Sequence, residues 1–179
     1  IAVASWFTEH QPEHDILFAL LDGEEPGALG ARNLVRSGLV DMDRVALNMN
    51  YDMVSRSDVD ELYVSGTYHA PGLVSLVETL ADRVPVKLLM GHDRPEQGPD
   101  DWTTLSDHAA FFEAGIPFLY FGVEDHPDYH KPTDDFNLIP KTFFVHSADT
   151  LVMVAIAADG ALDSLDLSLR PPAEVVASE

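Results

Sequence analysis

Four short polar clusters carry most of the side chains in this sequence that could do chemistry. The first is Asp22-Gly23-Glu24-Glu25. Two adjacent carboxylates point in different directions, so one can hold a metal ion while its neighbour faces a water molecule as general base. The same residues suit an acidic helix start, where the helix dipole favours negative charge. The second cluster is Asn50-Tyr51-Asp52, with Asp52 set among Met49, Tyr51, Met53 and Val54. A charge in apolar company needs a partner or a cation, although a turn cap explains Asp52 equally well. The third is Ser106-Asp107-His108. These types could form a nucleophile triad, but Ser106 lacks the G-x-S-x-G elbow, and Ser106 or Asp107 is adequately explained as a helix cap. The fourth brings His126, Asp128, Tyr129, His130 and Asp134 into one short stretch. In a chain without cysteine, neutral imidazole beside carboxylate oxygens is zinc chemistry; a solvated Asp/His turn is the plain alternative.

Each cluster needs a scaffold, and hydrophobic periodicity supplies one. Continuous apolar runs of strand length fall at residues 15–22, 45–54, 61–66, 85–90 and 116–123. Such runs suit strands buried on both faces of a parallel sheet. Helical spacing appears at 1–10, 26–38, 70–84, 106–115 and 141–162, with Pro26 near one start and Gly38 and Gly115 at stops. The alternation predicts an α/β fold: a three-layer α/β/α sandwich around a mostly parallel mixed sheet. In such sheets ligands bind beyond the carboxyl ends of strands, and all four clusters fall just after predicted strands. Two polar stretches, 91–108 and 124–139, read as long loops of the kind often kept for function. Residues 1–162 read as one domain and 163–179 as a loosely held tail.

Composition narrows the partners. With 31 acidic and 10 basic residues among 179, the formal net charge is −21. That charge repels nucleic acid and anionic membranes and suits cations. A solvated acidic surface serving solubility accounts for most of the excess. No apolar run approaches the ~20 residues of a membrane span. The absence of cysteine excludes disulfides and leaves His, Asp and Glu as metal ligands.

Taken together, the clusters read DGEEPGALGA, NYDMVS, SDHAAFFEAGIP and PDYHKPTDD, and in this order they resemble the di-zinc M28 peptidases over about residues 1–160. The resemblance implies a zinc-exopeptidase-like fold and a zinc-dependent aminopeptidase acting on peptide substrates. It implies Glu24 as the general base for a metal-activated water, and Glu25 and Asp52 as ligands of one zinc. His130 would hold the other ion, Tyr129 would hydrogen-bond the developing oxyanion, and Asp107 and His108 would keep ligands or loops in place. The family also supplies a His and a bridging Asp in an H-x-D-type motif, which no residue upstream of Glu24 matches. The opening helix starts midway, so the chain is expected to lack the amino-terminal part of the domain and to be inactive alone. Extracellular or periplasmic location is the family expectation. Within the same fold a single-zinc glutaminyl cyclase or a carboxypeptidase relative fits, and outside catalysis a peptidase-like binding ectodomain.

Overall fold

The computed structural model describes residues 1–171. Nine regular elements follow one another: α1 (Ala2–Glu9), α2 (Leu29–Arg36), β1 (Asn48–Tyr51), β2 (Glu61–Ser65), α3 (Val74–Ala81), β3 (Lys87–Met90), α4 (His108–Glu113), β4 (Phe118–Gly122) and α5 (Lys141–Ala161). The strands form one sheet in the order β1-β4-β2-β3. β1 and β4 run parallel, with Asn48 opposite Phe118, and β2 and β3 run parallel, with Leu62 opposite Leu88. β2 and β4 are antiparallel, with Ser65 opposite Tyr120. The sheet is therefore mixed, and the α/β expectation holds.

β4 shows why an unbroken apolar run becomes a central strand. Every residue from Phe118 to Gly122 is buried, because helices cover both faces. Leu119 and Phe121 face a core that also takes Leu76, Val77 and Leu80 of α3 and Leu151, Val154 and Ala158 of α5. Alternation sends Phe118 and Tyr120 to the opposite face, where both meet the His108 ring at the start of α4. A smaller apolar cluster, Ala28, Ala31, Ala110, Phe111 and Ile116, joins α2 to α4. α5 is long and apolar enough to cross a membrane by length and composition, beyond what the sequence reading allowed. It buries Phe143, Leu151, Val154 and Ala158 in the core.

The run 15–22 does not form the expected buried strand. No regular element covers it, and Leu17 and Leu20 are 60% and 89% exposed. A strand exists only where a neighbour takes its backbone N–H and C=O groups. Among the described residues, no backbone hydrogen bond joins 16–21 to the sheet. The run at 45–54 contracts to Asn48–Tyr51 and is half-buried, since β1 lies at the sheet edge. The helix expected from Ser106 begins at His108, with no side-chain cap. Residues 163–171, expected to be loosely held, place Leu165, Leu167 and Leu169 against the core. Arg170 donates from its backbone N–H to the carbonyl of His69 at 2.6 Å. The rest of that tail, 172–179, lies outside the described residues.

Candidate active site

Glu24 and Glu25 sit on a tight reversal between the coil ending at Asp22 and α2. Gly23 and Gly27 take φ of 72° and 103°, and the Glu24 carbonyl accepts from the N–H groups of Gly27 (2.9 Å) and Ala28 (2.7 Å). α2 then starts directly against Asp22. A Cβ at position 30 would press into the Asp22 carbonyl oxygen, so only glycine fits there.

β1 delivers Asp52 to the same end of the sheet. The Asp52 N–H donates to the Phe121 carbonyl (3.2 Å), and Met53 turns the chain with φ of 54°. Behind Asp52 lies a directional chain of hydrogen bonds. His108 Nε2 lies 2.9 Å from the Trp102 carbonyl oxygen, an acceptor only, so the proton sits on Nε2. Nδ1 is then left to accept from Asn50 Nδ2 at 3.4 Å. Asn50 also donates to Ser106 Oγ at 2.9 Å, and Ser106 donates its own proton to Asp52 Oδ2 at 2.8 Å. Ser106 is therefore a partner of Asp52 rather than a helix cap. His108 is fully buried and stacks on Tyr120 at 4.5 Å. Burial lowers its pKa to about 4, against which the backbone bonds of Trp102 and Thr103 act weakly.

The loop after β4 supplies Tyr129 and His130, their rings stacked at 3.9 Å. His130 bends the loop with φ of 54° and sets Nε2 3.0 Å from Glu25 Oε1. A cavity of about 820 Å³ is lined by Glu24, Glu25, Asp52, Tyr129 and His130, with Met53, Trp102 and Tyr120 forming an apolar wall. Desolvation raises the Glu24 pKa, and the charges of Asp52, Glu25 and Asp107 add to it against the opposing pull of His130. Burial also raises the Tyr129 phenol, with Asp125 the leading charge. Asp107, next to this group, is raised by burial first and by Asp52 second, and among the described residues its Oδ1 has no hydrogen-bond partner.

The structure thus gathers Glu24, Glu25, Asp52, Tyr129 and His130 around one cavity. Its closest donor pair is Glu25 with His130, whereas Asp52 is engaged with Ser106. The 3.0 Å contact joins Glu25 and His130, donors that the resemblance assigns to different ions. Donor types suit zinc, and ligands ~2.0–2.2 Å from one tetrahedral ion lie roughly 3.3–3.6 Å apart, somewhat wider than the 3.0 Å at which His130 meets Glu25. Number is the shortfall: among the described residues no group of three or more His, Asp or Glu converges. Motif order in the sequence does not point to Arg56, Trp102 or Tyr120. Arg56 alone carried a signal, as a rare cation directly after the NYDMVS stretch.

The model of peptidase family M28 matches residues 1–155. The chain belongs to this family. Solved structures agree with the M28 fold. The zinc aminopeptidase BSAP from Bacillus subtilis is 25% identical with a TM-score of 0.60, over 81% of this chain and 36% of that one. LapA aminopeptidase from Legionella pneumophila is 18% identical with a TM-score of 0.54, over 75% of this chain and 36% of that one. An aminopeptidase from Aneurinibacillus sp. strain AM-1 is 19% identical with a TM-score of 0.53, over 82% of this chain and 33% of that one. This M28 chain therefore spans little more than a third of the length of such proteins. No curated protein matches it.

Proposed function

We propose that these residues supply the general base and part of the ligand set of a zinc-dependent aminopeptidase centre. The observation that carries this reading is the 3.0 Å approach of His130 Nε2 to Glu25 Oε1 beside the half-buried Glu24. Glu25 and His130 would share one zinc ion, and Asp52, with Oδ2 held by Ser106, would offer Oδ1 to a second. Zinc at such a centre supplies Lewis acidity for the scissile carbonyl and the attacking water.

Glu24 does the proton work. Its raised pKa brings the carboxylate nearer to neutral pH, where it can take a proton from water and give it to the departing amine. Tyr129 stays protonated because its pKa is raised, so its O–H remains a donor toward a developing oxyanion. The acidic rim of Glu24, Glu25, Asp52 and Asp125 suits the positive charge of a free peptide amino terminus. Because no three-donor group closes within the described residues, we propose that the chain alone does not turn over substrate.

Peptide binding tests the reading. Zinc-supplemented chain should bind a peptide with a free amino terminus, followed by Trp102 fluorescence, and should bind its acetylated counterpart much less. Equal binding of both would remove the aminopeptidase assignment. Clear hydrolysis of an aminoacyl-anilide by this chain alone would remove the incomplete-site part of it.

A further inference from the structure

The loop that brings Tyr129 and His130 to the cavity has no regular secondary structure across these residues and begins beyond the end of β4. Something else must hold it. Its own turns supply short-range order: Tyr129 N–H to the His126 carbonyl (2.9 Å), Lys131 N–H to the Asp128 carbonyl (2.9 Å) and Asp134 N–H to the Lys131 carbonyl (3.0 Å). These bonds shape the loop without attaching it to the sheet. His130 also sits in the left-handed region, which a non-glycine residue keeps only when its surroundings enforce it.

Arg56 reaches the loop from the connection between β1 and β2. Its Nη2 donates to Asp128 Oδ2 at 2.8 Å and its Nη1 to Asp134 Oδ1 at 3.4 Å. The two carboxylates flank Tyr129 and His130 in sequence, so one guanidinium ties down both ends of the segment bearing them. The Arg56 side chain is only 10% exposed, while those of Asp128 and Asp134 are 22% and 45% exposed. Removing one partner of a mostly buried cation costs more than breaking a surface pair. Asp128 is itself fixed, since Thr133 Oγ1 donates to its Oδ1 at 2.6 Å. The planar fork matters as well as the charge: two nitrogens of one group serve two acceptors, and an ammonium has no such fixed geometry.

We propose that Arg56 is a positioning residue, a clamp that presets Tyr129 and His130 opposite Glu24 and Glu25 before any ion or peptide arrives. This rests on the reading of Glu25 and His130 as a zinc pair. Arg56 lines the same cavity, but both of its side-chain bonds go to the loop carboxylates Asp128 and Asp134.

The test compares Arg56→Lys, Asp128→Asn and His130→Ala in the full chain, by hydrogen–deuterium exchange and by zinc titration against a chromophoric chelator. With the clamp weakened, the peptide covering 126–134 should exchange faster in Arg56→Lys and Asp128→Asn, while β4 and α5 keep their protection. Zinc affinity should fall about 10- to 100-fold in both, as supporting partners of metal ligands usually require. The Arg56→Lys/Asp128→Asn double variant should lose no more than either alone. If His130→Ala weakens zinc binding while both clamp variants bind normally with unchanged loop exchange, the clamp is overturned and the zinc pair stands. If His130→Ala leaves zinc binding unchanged, the underlying pair is wrong; the clamp then stands or falls on loop exchange alone. Should Arg56→Lys unfold throughout, Asp128→Asn decides by the same readouts.

Discussion

Acidification should unfold this chain in part through one histidine. His108 is fully buried, donates from Nε2 to the Trp102 carbonyl and stacks on Tyr120, so the fold accepts only its neutral form. Its pKa falls from 6.5 to about 4. The native state therefore refuses a proton that the unfolded chain takes up below pH 6.5. Stability from this group is complete above that pH and is lost as pH falls toward about 4, where both states become charged. One pKa unit is ~1.4 kcal/mol, so the loss is about 1.4 kcal/mol at pH 5.5 and on the order of 3 kcal/mol at full extent. The assay is urea unfolding at pH 7.5, 6.5 and 5.5, comparing the native sequence with His108→Gln. The variant should be weaker at pH 7.5, where it loses the ring stack, and the gap should narrow by roughly 1.4 kcal/mol by pH 5.5. Taking the difference between the two proteins cancels the other histidines and the carboxylates. A gap that stays constant across that range would refute the claim that burial keeps His108 neutral.

Three further outcomes follow from the packing and charge. His14 lies between Asp159 (3.1 Å) and Asp163 (3.3 Å), and these hydrogen bonds raise its pKa. Its contribution is present below pH 6.5 and lost as pH rises through the raised value, opposite in sign to His108. Thermal melts of His14→Asn should converge on the native protein at alkaline pH, and a gap that widens there would contradict this. Gly30→Ala should cost ~1–3 kcal/mol in denaturant unfolding, because the new methyl meets the Asp22 backbone; a change within about 0.5 kcal/mol would show that α2 shifts freely. Phe121→Ala, in a fully buried position of the central strand, should cost ~3–5 kcal/mol by the same measurement, and a loss under about 1 kcal/mol would place the core elsewhere.

Much of the scaffold was legible because local signals agreed with their surroundings. The run 116–123 became the buried β4, and the spacing at 141–162 became α5 almost residue for residue. The run 15–22 carried the same apolar signal as β4, but among the described residues no strand takes the backbone groups of 16–21, and pairing is not a local property. Glu24, Glu25, Asp52, Tyr129 and His130 could be named from motif order, and the structure gathers them at one cavity. Which donors meet was not legible. Glu25 and His130 come from distant parts of the chain, and their contact depends on how the loop at 126–134 folds back. Ser106 misled for a similar reason. A serine before a helix reads as a cap, and only the position of Asp52 across the sheet turns its hydroxyl elsewhere.

The central claim is that Glu25 and His130 form one metal-binding pair. Zinc titration of the chain and of Glu25→Ala, His130→Ala and the double variant tests it most directly. The account predicts measurable binding by the native sequence, a comparable loss in each single variant, and no further loss in the double. Zinc binding that survives both single substitutions unchanged would contradict it.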